Sequence, residues 1–114
     1  MNNREFIKIG QDLKILVDVT ELGEGVTLDD IAYSLVFTSG SHSVTFAATL
    51  SGTTQTLATG MRRVNDHQVI VALPTTGFDR GNLMLKIVAE IPDADFTDGK
   101  RHEEREVDQM ITLE

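Results

Sequence analysis

Asp93-Ala94-Asp95-Phe96-Thr97-Asp98-Gly99 is the sharpest chemical candidate in this chain. It sets Asp93, Asp95 and Asp98 in a Gly-terminated loop, and a hard cation such as Ca²⁺ takes oxygen ligands of this kind. The spacing is not that of an EF-hand, which needs a tighter acidic triplet and a distal Glu. The same residues are also ordinary turn formers. Pro92 ends a strand, and Asp and Gly favour a hairpin tip. Two readings therefore stand side by side: a calcium loop at Asp93, Asp95 and Asp98, or a solvated turn with no cofactor. Ile91, Pro92 and Phe96 flank the loop and are expected to pin it to the end of the protein.

The other polar groups carry less chemistry. His102-Glu103-Glu104-Arg105-Glu106 begins like a zinc-protease motif, but Glu106 stands where the second His must be, so the metal geometry is missing. His42 and His67 lie far apart and read as strand-end residues. Arg62, Arg63 and Arg80 form a small basic set in a chain of net charge −8. They could dock an acidic partner or the chain's own carboxylates; nine of the eighteen acidic residues fall in Glu90–Glu114, so the own-chain pairing is the expectation. The chain has no cysteine, hence no thiol nucleophile and no Cys-ligated zinc. It also lacks a Gly-rich phosphate loop and a nucleophile elbow. No catalytic residue is expected, and the chain is read as a non-enzyme.

The elements around these groups show the two-residue period of half-buried strands. Leu13, Ile15, Val17 and Val19 form one apolar set, and Ile31, Tyr33, Leu35 and Phe37 another. Val69, Val71 and Leu73 follow, then Leu83, Leu85, Ile87 and Ala89, with Val107, Gln109, Ile111 and Leu113 on one face of a last strand over Glu106–Leu113. Shorter strands are expected at Glu5–Ile9, around Val44–Phe46, near Thr56–Ala58 and at Met61–Val64. Glu21-Leu22-Gly23-Glu24-Gly25 reads as a turn, and Leu28–Ala32 could form one helical turn; Lys100–Val107 could form a short helix, while His102–Glu106 within it reads rather as a charged connection or an exposed strand start. Seven or eight short strands with frequent turns predict an all-β, antiparallel sandwich with Greek-key-like connections, one domain over 1–114.

Ser39–Gly60 carries no Asp, Glu, Lys or Arg in 22 residues, ten of which are Ser or Thr. Charges, Lys above all, normally keep an exposed strand edge from pairing with another chain. Here they are missing, and Val44–Leu50 is a neutral, β-prone window. The segment is read as a protein–protein surface with Val44, Phe46, Ala48 and Leu50 as contact residues, against the alternative of a hairpin covered by its own sheet. A homo-oligomer is expected from the first reading.

Composition narrows the partners. A net charge of −8 opposes binding to phosphate backbones and anionic lipid, and one Tyr with no Trp gives no platform for stacking bases. Nucleic acid and membrane are therefore not expected as partners. No run approaches the roughly 20 apolar residues of a membrane helix. Met1–Phe6 has no apolar region behind its charge, so a signal peptide is not expected either.

Asp79-Arg80-Gly81-Asn82-Leu83, with Leu85 two residues on, resembles the Asp-x-Gly-x-Tyr-x-Cys entry to the sixth strand of immunoglobulin-like sandwiches. Leu83 replaces the Tyr and Leu85 the Cys, so no hydroxyl braces the corner from that position. Across nearly the whole chain the landmarks are Val26-Thr27-Leu28-Asp29-Asp30 before a strand, a Ser/Thr-rich middle, Leu73-Pro74, Gly77 and Gly81, and a terminal Ile111-Thr112-Leu113. This order is similar to the Ig-like module of phage and prophage virion proteins, in particular the N-terminal domain of the baseplate-upper-protein family. The resemblance implies a structural connector without catalysis, docking other virion proteins or itself, made in a bacterial host's cytoplasm and carried into the virion. The rival reading is a carbohydrate- or surface-binding module, calcium-dependent if Asp93, Asp95 and Asp98 act together.

Overall fold

Alternation in the sequence becomes burial where two sheets face each other. The computed structural model describes residues 4–20, 22–23 and 25–114; Met1–Asn3, and Glu21 and Glu24 of the expected turn, lie outside them. Nine strands form among the described residues, one or two more than expected. They are β1 (Glu5–Ile7), β2 (Asp12–Asp18), β3 (Ala32–Ser39), β4 (His42–Ser51) and β5 (Thr54–Leu57). Then come β6 (Met61–Asn65), β7 (Gln68–Pro74), β8 (Gly81–Pro92) and β9 (Lys100–Leu113). A single 3₁₀ turn at Leu28–Asp30 precedes β3, where one helical turn was expected.

The strands make two sheets, in the orders β1-β9-β8-β3-β4-β5 and β2-β7-β6. All pairs are antiparallel except β1 with β9, where Glu5, Phe6 and Ile7 run alongside Ile111, Thr112 and Leu113. The core between the sheets takes in most of the expected apolar sets, joined by Leu22, Leu28, Phe46, Ala48 and Phe78. Ile15, Val17 and Val19 come from β2 and its end, Tyr33, Leu35 and Phe37 from β3, Val69, Val71 and Leu73 from β7, and Leu83, Leu85, Ile87 and Ala89 from β8. Burying each large apolar side chain contributes about 1.5–3 kcal/mol, the main term holding a chain of this size together.

The chain crosses from one sheet to the other between β1 and β2, and the crossing is tied to the corner after β7. Thr75, fully buried, accepts a hydrogen bond from the Gly10 amide at 2.8 Å and donates its hydroxyl to the Gln11 carbonyl at 2.7 Å. The corner itself closes against the β3–β4 turn. Buried Ser39 donates its hydroxyl to the Asp79 carbonyl at 2.7 Å, and one Asp79 carboxylate oxygen accepts from both the amide (2.9 Å) and the hydroxyl (2.7 Å) of Ser41. Gly40 lies between them at φ +63, and a Cβ there would come within 2.5 Å of the Asp79 Cβ. Two serines and an aspartate thus brace the corner that lacks a tyrosine.

Strand β9 is longer than the expected Glu106–Leu113. Lys100–Val107 is extended, the exposed strand start and not the short helix of the two readings, and pairs residue by residue with β8 from Pro92↔Lys100 to Leu85↔Val107. The face expected to carry Val107, Gln109, Ile111 and Leu113 is broken by a bulge. Met84 faces Asp108 and Asn82 faces Thr112, so three residues of β9 stand opposite Leu83 alone. Met110 takes φ 59 to absorb the extra length. Asp108 holds the bulge: its carboxylate accepts the Met110 amide at 2.8 Å and pairs closely with Arg4, which also donates to the Ile111 carbonyl at 3.3 Å. Beyond the bulge Leu113 is buried, whereas Val107 stays 38% exposed although it shares a face with buried Leu85.

Candidate functional site

The acidic loop is the tip of the β8–β9 hairpin, and its own backbone orders it. The Asp93 amide donates to the Gly99 carbonyl at 2.9 Å and the Gly99 amide to the Phe96 carbonyl at 2.9 Å. The carboxylates of Asp93 and Asp98 are spent on turn amides and basic neighbours. Asp93 accepts the Asp95 amide at 3.0 Å and faces Arg101 at 3.9 Å. Asp98 accepts the Lys100 amide at 3.1 Å and meets His102 Nε2 at 2.9 Å. The His102 contact, with the Lys100 amide behind it, holds the Asp98 carboxyl below its ordinary pKa. Among the described residues no three His, Cys, Asp or Glu side chains gather closely enough to hold a metal ion. The candidate ligands Asp93, Asp95 and Asp98 therefore do not form a shared site. Only part of the expected pinning is present: Ile91 is buried, but Pro92 is exposed and Phe96 stands 49% exposed.

The histidines have separate partners. His67 Nδ1 meets Asp18 at 3.1 Å, His102 meets Asp98, and His42 stands edge-on to Phe78 with ring centroids 4.9 Å apart. The His102–Glu106 run is split by the strand pleat. His102, Glu104 and Glu106 share a side with Glu90, Val88 and Lys86, whereas Glu103 and Arg105 share the core side with Ala89 and Ile87.

The basic set does not reach the C-terminal carboxylates. Arg63 bridges Asp29 at 3.2 Å and Asp66 at 2.5 Å, and neither Arg62 nor Arg80 forms an ion pair among the described residues. The carboxylates of the last quarter of the chain take other cations: Lys86 with Glu104, Lys100 with Glu90, Arg101 with Glu103, and Arg4 with Asp108.

The four contact residues proposed on β4 are turned inward. Phe46 and Ala48 are buried, Val44 packs against the core, and Phe46 meets Phe37 edge-on at 6.0 Å; Leu50 is half-buried opposite Gln55. Period-two alternation cannot say which set points out until a second sheet covers one of them. The solvent side of β4 is the complementary set, Ser43, Thr45, Ala47 and Thr49. β5 then ends the six-stranded sheet with Thr54 and Thr56 exposed, and its Gln55 donates to the carbonyls of Leu28 (2.6 Å) and Ile31 (2.9 Å). The uncharged segment is therefore a fixed hairpin at a sheet edge and not a loose loop.

Two flat outer surfaces complete the geometry. On the six-stranded sheet the register lays out rows across four strands: Glu104–Val88–Ser34–Ala47, then Glu106–Lys86–Val36–Thr45. Val88, Ser34 and Val36 lie in its middle around Lys86, which pairs with Glu104 of the acidic column on β9, and hydroxyls line β4. On the three-stranded sheet the row Leu16–Ile70–Arg62 lies beside Lys14–Ala72. Sequence reasoning passed over this second patch. Its signals were Leu16 and Ile70, apolar residues at the out-facing positions between Ile15 and Val17 and between Val69 and Val71. No family model, curated protein or solved structure matches this chain.

Proposed function

We propose that this chain is a non-enzymatic structural or adaptor protein of a phage or prophage particle, working by docking other virion proteins and by self-association. The carrying observation is the uncharged β4–β5 hairpin that forms one edge of the six-stranded sheet. The other edge of that sheet bears the charged run of β9, and β6, which ends the smaller sheet, bears Arg62 and Arg63. Protection is missing at one edge, where a strand from another chain can add. An immunoglobulin-like reading is supported by the strand order. β4 and β5 extend the sheet of β3, β8 and β9 as the two extra strands of variable-type domains do, while β2, β7 and β6 make the smaller sheet.

Support against catalysis comes from the dispersal of the histidines and carboxylates just described. The rival sugar- or surface-binding module has lost its metal argument with the separation of Asp93, Asp95 and Asp98, and no other observation favours it. Mass spectrometry of purified particles from the source cell tests the reading. Peptides of this chain at stoichiometric level in particles are the expected result. Complete tailed particles without it overturn the virion assignment. Hydrogen exchange at rising protein concentration tests the edge, with added protection expected at β4–β5 amides.

A further inference from the structure

We propose that Asp98–Gly99 is a self-modification site, an aspartyl-glycyl step that rearranges to isoaspartate, and that the folded hairpin tip holds the reaction back until the tip opens. It is the one Asp-Gly step in the sequence, which has no Asn-Gly step. Both residues are exposed, the Asp98 side chain to 57%. The reaction needs the amide nitrogen that follows an aspartate to reach the carbon of the side-chain carboxyl, and a Cβ on the following residue crowds that approach. Gly99 has no Cβ. The space beside it is also open, for a Cβ placed there would meet no atom within 4 Å. Asp93 and Asp95 share the tip but precede Ala94 and Phe96, whose Cβ atoms crowd the same approach.

The chemistry needs only water. The Gly99 nitrogen bonds to the Asp98 Cγ, and one carboxyl oxygen leaves as water with the amide proton and the carboxyl proton. A five-membered imide ring results. Water then opens the ring at either carbonyl. Breaking the new bond from nitrogen to Cγ restores aspartate. Breaking the original bond from the Asp98 carbonyl carbon to the Gly99 nitrogen leaves the chain running through Cβ and Cγ, with a free α-carboxylate. The water lost in the first step is regained in the second, so the mass is unchanged.

The closed tip opposes each requirement. The nitrogen is turned to another acceptor, because the Gly99 amide donates to the Phe96 carbonyl at 2.9 Å. Both carboxyl oxygens are held on β9. Oδ1 accepts the Lys100 amide at 3.1 Å, and Oδ2 meets His102 Nε2 at 2.9 Å. These contacts also favour the carboxylate, from which an oxygen leaves poorly. His102 is itself placed between Asp98 and Glu90, whose carboxylate lies 3.9 Å from its Nδ1. It acts as a positioning residue that keeps the Asp98 carboxylate off the Gly99 nitrogen. Ring closure therefore waits for local opening of the tip, which breaks these bonds together.

Ageing the full chain in neutral buffer tests this, beside a synthetic peptide of Ile87–Lys100. That peptide is also the tryptic fragment that carries Asp93, Asp95 and Asp98 together. Electron-transfer fragmentation locates isoaspartate by the distinct break in its longer backbone. Isoaspartate is expected at position 98 in both samples and not at 93 or 95. Its formation in the folded chain is expected to be at least about tenfold slower than in the peptide, the ratio for a tip open roughly one-tenth of the time or less. His102→Ala is expected to speed formation in the folded chain severalfold. His102→Gln, whose amide still donates to Asp98, is expected to keep the wild-type rate. Position 102 is exposed, and thermal melts check that each variant folds. A peptide that gains isoaspartate equally at 93 or 95, or not at all, overturns the site. A folded-chain rate equal to the peptide's or above it overturns the gate. A folded-chain rate that His102→Ala leaves unchanged, or that His102→Gln raises as much, overturns the role of His102.

Discussion

Asp79 places one carboxylate oxygen on two donors of Ser41, and these two hydrogen bonds are the main cause of its lowered pKa. The charged form is therefore bound more tightly in the folded chain than in the unfolded one. Its contribution is complete above the ordinary value of 3.8 and is lost as pH falls through the lower folded value. Asp79→Ala is expected to lower Tm at neutral pH, with the gap to the wild type closing in acid. A gap that is constant from neutral pH into acid would place the loss in packing and not in the carboxylate. The Asp79–Gly81 landmark was legible as a corner, because Asp and Gly at that spacing suit its backbone. The brace was not legible. Ser39 and Ser41 lie some forty residues away, and nothing in a Ser/Thr-rich stretch marks which hydroxyls will meet a carboxylate.

At the scale of elements, β2, β3, β7 and the β8 core positions were readable because each strand has one face under the opposing sheet, which forces strict alternation. β9 was not. The six-stranded sheet is wider than its three-stranded partner, and the core-side positions of β9 at Glu103, Arg105 and Val107 overhang it. Water reaches them, so charge is tolerated where an apolar residue was needed for recognition, and a charged run reads as a helix. Those inward charges also guard a sheet margin that β1 covers only at Ile111–Leu113. The crossover from β1 to β2 depends in turn on Thr75. Thr75→Val keeps the shape of the side chain but orphans the Gly10 amide and weakens the hold on Gln11. The expected cost is about 2 kcal/mol, seen as a Tm lower by roughly 8 °C, with Thr75→Ser retaining most of the stability. Equal losses for Val and Ser would show that the methyl, and not the hydroxyl, secures the crossover.

Across the whole molecule, charge is distributed by sheet margin and by end. The neutral β4–β5 hairpin forms one margin of the larger sheet, the acidic column of β9 runs near the other, and Asp93, Asp95 and Asp98 gather at the hairpin tip. A tip of this kind attracts cations through its field without binding any of them at a fixed point, because the Asp93 and Asp98 carboxylates already hold amides, Arg101 and His102. Diffuse attraction depends on ionic strength and valence, whereas a coordination site tells one divalent ion from another by size and ligand number. A ligand bound only by the native state raises Tm by mass action, so thermal melts separate the two cases. Millimolar Ca²⁺ is expected to move Tm no more than Mg²⁺ does at matched ionic strength, and Asp98→Asn is expected to leave that equality unchanged. A rise specific to Ca²⁺ and lost in Asp98→Asn would mean that the loop rearranges to bind the ion, and would put the rival surface-binding reading ahead. Equal responses leave the tip as a solvated turn that acts on ions only through its field.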